Sequence, residues 1–155
     1  MAMKIASSAF DDGGEMPSKC TCQGANVSPP LEFSGVPDST KSLVLIVDDP
    51  DAPDPAAPKM TYVHWVLYNL PADTTGFAEG VTSLPDGAGA GLNDRQMIGY
   101  TGPCPPIGRH RYFFKLYALD TTLEGLSSPT KPQVLEAMKG HVLAEAQIIG
   151  TYQKT

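Results

Sequence analysis

Proline and glycine punctuate the whole chain, fifteen of each in 155 residues, and this narrows the fold more than any other feature. Proline breaks helix interiors and central strands, and glycine weakens both. Long helices need uninterrupted periodic segments, whereas short strands joined by turns tolerate such punctuation. The apolar runs between the breaks agree. Leu43-Val44-Leu45-Ile46-Val47 is continuous and partly β-branched; it reads as a strand buried on both faces, ending at Asp48-Asp49-Pro50. Tyr62 to Asn69 reads as a second strand closed by Pro71, and Arg111 to Leu119 as a third, rich in aromatics. The tail from Glu145 to Tyr152 also has strand character. One helix is predicted after Ser127-Ser128-Pro129-Thr130, capped by Thr130 or Ser128 and carried by Gln133 to Met138, with Gly140 at or near its end. The expected fold class is mainly β: an antiparallel β-sandwich with one or two peripheral helices, in a single domain over residues 1–155.

Charge and apolar patterning exclude several partners. The formal net charge is −6 with no basic run or stripe, which argues against nucleic acid and against anionic membrane surfaces. No stretch approaches the roughly 18 apolar residues of a membrane span. Met1-Ala2-Met3-Lys4-Ile5 lacks the apolar core of a secretory signal. Three cysteines, Cys20, Cys22 and Cys104, are an odd set, and Cys20-Thr21-Cys22 is too tight for an easy bridge and unlike the usual zinc spacing. The expectation is three free thiols in a reducing cytoplasm, with Cys22 and Cys104 as neighbours.

Three regions carry possible chemistry. Asp48, Asp49 and Asp51 crowd four positions after the first buried strand, and prolines at 50, 53, 55 and 58 stiffen the exit. Such a corner holds a carboxylate in one direction, although aspartate and proline also favour plain turns. His64 lies within the second strand, where a lone histidine is more often a satisfied core residue than a ligand. Gly102-Pro103-Cys104-Pro105-Pro106-Ile107-Gly108 is a stiff loop opening into His110-Arg111-Tyr112. Strand alternation puts His110 and Tyr112 on one face and Arg111 on the other. The segment from Asp73 to Pro106, poor in periodicity, reads as a long loop that is functional or ordered by its own contacts.

In order along the chain, Asp49-Pro50-Asp51-Ala52-Pro53, His64-Trp65 and Gly108-x-His110-Arg111-Tyr112 resemble the signature regions of the phosphatidylethanolamine-binding protein family. Cys22-Gln23-Gly24-Ala25-Asn26-Val27-Ser28-Pro29-Pro30-Leu31, Asn93-Asp94, Gly99-Tyr100-x-Gly102-Pro103-Cys104-Pro105-Pro106, and Gly140-His141 to Gly150-Thr151-Tyr152 resemble its bacterial and archaeal Raf-kinase-inhibitor-like branch. The likeness runs from about residue 4 to residue 152. It implies a large antiparallel sheet packed on a smaller one, with a pocket for phosphate-like groups and other small anions at one end. On motif, Asp49, His64, His110 and Tyr112 fall on pocket positions, with Pro103, Pro105 and Pro106 at the rim. Met60 and Tyr62 lie near the place of a further pocket tyrosine found in eukaryotic members; neither is assigned to it.

The function these residues suggest is reversible binding of a small anion or phosphorylated group, with no catalysis, cofactor or metal. In this reading His64 and His110 donate to the anion, and Asp49 fixes an imidazole tautomer. His110→Ala should then weaken binding and leave folding intact. The alternative is a protein-interaction inhibitor of a kinase or protease, with a partner side chain in the pocket. A protein kinase or other signalling protein is the macromolecular partner this resemblance suggests, and a homodimer is an allowed assembly. A nucleophilic enzyme built on Cys104 and His110 lacks any recognised elbow motif. A metal enzyme would need His64, His110 and Asp49 to act as ligands together.

Overall fold

The computed structural model describes residues 2–155. Eight strands form two antiparallel sheets. The smaller contains β1 (Lys4–Ala6), β2 (Leu31–Ser34) and β5 (Gly76–Phe77), in the order β1-β2-β5. The larger contains β3 (Ser42–Ala52), β4 (Met60–Pro71), β6 (Gly89–Ala90), β7 (Arg109–Leu119) and β8 (Val142–Gln153), in the order β6-β4-β3-β7-β8. The main core lies on one face of the larger sheet, where Leu43, Leu45, Val47, Phe114 and Leu116 meet Ile5, Leu31 and Phe33 of the smaller. The other face carries Val44, Ile46 and Val66 against Val134 and Met138 of α1 (Lys131–Met138). This two-sided cover explains why β3 reads as one unbroken apolar run.

The helix begins where its capping residues place it. Thr130 Oγ1 accepts from the Gln133 amide, and Gln133 Oε1 accepts from the Thr130 amide, which closes a capping box. Among the described residues no helix is long and apolar enough to cross a membrane.

Two expectations change. First, β3 continues through Asp48, Asp49 and Asp51 to Ala52, so the acidic cluster is a strand end and not a turn after it. Neighbouring strands β4 and β7 supply ladder partners that a local Asp/Pro reading cannot anticipate. Second, Cys22 and Cys104 are joined by a disulfide, with Cα atoms 5.4 Å apart, and only Cys20 is a free, buried thiol. The two cysteines are neighbours as expected but not free, because the fold brings together loops 82 residues apart. The thiol argument for a reducing compartment therefore falls away.

Candidate functional site

A β-bulge builds the first part of the site. Val47 of β3 pairs with Trp65 of β4, but Asp48 pairs with Val63, leaving His64 as the extra residue. A bulge of this kind breaks strict alternation. Trp65 packs in the main core, Val63 and Val66 pack on the opposite face, and His64 stands beside core-facing Tyr112 with ring centroids 5.2 Å apart. Asp49, His110 and Tyr112 reach the same place by ordinary alternation along β3 and β7.

These four side chains line one cavity of about 310 Å³, with Pro105 and Pro106 at its rim. Pro103 is the one expected rim residue outside it; its carbonyl accepts the Cys22 amide at 3.0 Å. Met60, Tyr62, Arg95 and Thr101 also line the cavity. Of these, Arg95 and Thr101 are the residues that motif reasoning missed.

His110 makes the expected contact with Asp49 and meets two backbone carbonyls besides. Its Nδ1 lies 2.6 Å from Asp49 Oδ2, and its Nε2 lies 3.1 Å from the Pro53 carbonyl and 2.9 Å from the Ile107 carbonyl. All three neighbours are acceptors, and a proton on Nδ1 donates to Asp49. The side chain is 1% exposed. Both ring nitrogens already lie within hydrogen-bond distance of protein acceptors. Asp49 is equally committed, since its Oδ1 accepts the Asp51 amide at 2.7 Å. The pair joins β3 to β7 and braces the 101–108 loop.

His64 is held differently. Its Nδ1 donates to the Thr101 carbonyl at 2.7 Å, and the Thr101 amide donates back to the His64 carbonyl at 3.0 Å. This fixes the tautomer and leaves Nε2 without a partner among the described residues. Burial pushes the imidazole below its ordinary range, against smaller opposing effects of the Thr101 bond and Asp49, so the neutral ring with an open acceptor nitrogen dominates at neutral pH.

Tyr112 is 1% exposed, and its hydroxyl has no hydrogen-bond partner. Burial above all, with the fields of Asp49 and Asp51, pushes its phenol far above the usual value and keeps it a proton donor. Arg95 is exposed and has no carboxylate partner among the described residues. A buried Asn93 sets its loop: Oδ1 accepts from the Arg95 and Met97 amides, and Nδ2 donates to the Gly99 carbonyl. Asp94 ties that loop to β4 by accepting the Val63 amide at 2.7 Å. The Asn93-Asp94 pair is thus scaffolding that delivers the next residue, and only the folded loop shows it.

The rim is anchored to the chain's first third. The Gly102 amide donates to Asn26 Oδ1, and a Cβ on Gly102 would run into the Cys20 backbone carbonyl, which explains the glycine. The disulfide then holds Cys104, itself a lining residue.

A two-layer β fold with this pocket at the end of its larger sheet invites comparison with known proteins. The chain belongs to the phosphatidylethanolamine-binding protein family, whose profile matches residues 6–153. A UPF0098 protein of Methanothermobacter thermautotrophicus is 52% identical over 155 residues, covering 98% of this chain and 99% of its own. Among solved structures, a phosphatidylethanolamine-binding protein homolog of Chlamydia trachomatis superposes with a TM-score of 0.92 at 47% identity, over 99% of both chains. Escherichia coli YbcL, described as a member of the mammalian family, gives 0.89 at 32% identity over the full length of both.

Proposed function

We propose that the chain binds a small tetrahedral oxyanion, such as phosphate or a phosphomonoester, reversibly and without turning it over. The unpartnered, buried hydroxyl of Tyr112 carries this reading. A phenol kept protonated in an apolar wall is a donor waiting for an acceptor. Arg95 supplies charge at the mouth. His64 Nε2 suits a ligand oxygen that still bears hydrogen, as in the phosphate monoanion. The absence of an activated nucleophile in this reading rests on two sulfurs. Cys104 is held in a disulfide, and burial pushes the Cys20 thiol up to about 11.

Calorimetric titration with inorganic phosphate tests the proposal through Tyr112→Phe. Affinity should fall about tenfold, the effect of losing a donor to a charged acceptor. The free variant should be no less stable, because the lost hydroxyl has no partner there. Unchanged affinity in Tyr112→Phe would overturn the site, and steady phosphoester cleavage by pure protein would overturn the binding-only reading.

A second reading has its own support. Met60 and Ile107 are about half exposed; Met60 lines the cavity, and Ile107 precedes the His110 strand. Apolar side chains beside a polar pocket suit a protein surface that inserts a phosphorylated or carboxylate side chain. In this form the chain acts as an inhibitor of a kinase, a protease or another signalling protein.

A further inference from the structure

A second cavity, of about 450 Å³, lies on the other side of the segment that bounds the first. His64, Thr101 and Gly102 line the first; their neighbours Trp65, Gly99 and Tyr100 line the second. Its walls are mostly apolar. Trp65 and Tyr100 meet edge to face with centroids 5.4 Å apart, and Leu67, Val81, Leu84 and Ile98 add apolar lining, with Asn26 and Thr82 as further neutral polar side chains. No acidic or basic side chain lines it. Ser28 does line it, is 3% exposed, and its hydroxyl has no partner.

We propose that this cavity is a second binding site, for a small neutral amphiphile with an apolar body and one hydroxyl or carbonyl group. The apolar body packs against Ile98, Val81, Leu84 and the Tyr100 ring, with the buried edge of Trp65 behind them. Its single polar group pairs with Ser28, which donates or accepts as the ligand requires. A charged ligand fits poorly, because the lining offers no counter-charge and desolvation would go uncompensated. A purely apolar ligand fits less well than an alcohol, because Ser28 would stay buried and unpaired. The volume is within the usual range for small-molecule sites. The site is distinct in chemistry from the oxyanion pocket, where Arg95, His64 and Tyr112 meet.

Trp65 is the chain's single tryptophan, so its emission reports on this wall directly. The probe is 1-octanol, with octylammonium as its charged counterpart, both below aggregation. The expected result is a saturable change in Trp65 emission with octanol, at least tenfold weaker with octylammonium. Ser28→Ala should weaken octanol binding about fivefold, the usual range for one neutral hydrogen bond. Ala90→Leu, which adds bulk to the lining on β6, should abolish it. Inorganic phosphate at millimolar concentration should leave the octanol titration unchanged. A signal that grows linearly without saturating, equal affinity for octylammonium, displacement by phosphate, or full binding in both variants would each overturn the assignment.

Discussion

Asp48 and Asp49 are adjacent on β3, both almost fully buried, and they live in opposite environments. Asp48 faces the α1 side, where Lys131 Nζ lies 2.7 Å and Lys115 Nζ 3.2 Å from its Oδ2. Both lysines are long and reach in from partly exposed stems. Asp49 faces the cavity, where a rigid imidazole and a backbone amide hold it. The first arrangement neutralises a charge with flexible cations that keep contact with water. The second uses stiff groups that are themselves buried, and so fixes the geometry of a pocket wall. Unpartnered atoms occur on both sides: Asp48 Oδ1 on the α1 side, and the Tyr112 hydroxyl beside the cavity. Only on the cavity side do such groups stand among stiff, buried neighbours that line one cavity.

The sharpest way to break this contrast is His110→Ala. Removing one member of a buried pair leaves Asp49 with the Asp51 amide alone and takes away the ring that lies against the Pro53 and Ile107 carbonyls. Chemical denaturation should show a loss of about 3–5 kcal/mol. A loss below about 1 kcal/mol would mean that the imidazole does not brace the site.

Next in size is the disulfide. Cys22→Ser with Cys104→Ser should cost about 2–4 kcal/mol, because the bridge spans 82 residues and restricts the unfolded chain. The same variant should loosen the cavity rim and leave the α1 side alone. Hydrogen exchange should show faster amides in 101–108 and unchanged protection around Val134.

On the opposite face, Lys131→Met should cost only about 1 kcal/mol, since Lys115 remains on the same carboxylate and the lysine is partly solvated. A cost equal to that of His110→Ala would erase the distinction between the two sides.

The smallest effect is in the pH dependence. The His64 imidazole is depressed in the folded protein, so the unfolded chain takes up its proton first as pH falls. Stability from this group is complete above about 6.5, the unfolded value. It declines as pH drops from there toward the lower folded value. Asp51 follows with a separate loss at lower pH. Its carboxyl is held below the usual range chiefly by the Arg111 side chain, so its contribution persists above the unfolded value and is lost as pH falls through the folded one. Urea midpoints between pH 8 and pH 5 should therefore fall in wild type and stay flatter in His64→Gln.

Much of this was legible in local patterns. The apolar run of β3, the aromatic alternation of β7 and the Thr130 cap are read directly from periodicity and capping chemistry, and each stands in the structure. Motif order points to Asp49, His64, His110 and Tyr112 as pocket residues, and all four line one cavity. Their roles were less legible. His110 and His64 look alike in sequence, yet one meets acceptors at both ring nitrogens and the other keeps a free nitrogen. That difference depends on which backbone carbonyls the folded loops bring within reach.

By itself the sequence determined the class of fold, the strand faces and the residue types gathered at one sheet end. Those depend on side-chain period and on the dihedral limits of proline and glycine, which act within a few residues. Tertiary structure alone decided the Cys22–Cys104 pairing, the place of Arg95 beside the pocket, the two lysines on Asp48 and the bulge that turns His64 inward. Each is a contact between segments far apart in the chain, or a ladder shift set by a neighbouring strand, and no local pattern encodes which acceptor a donor will meet.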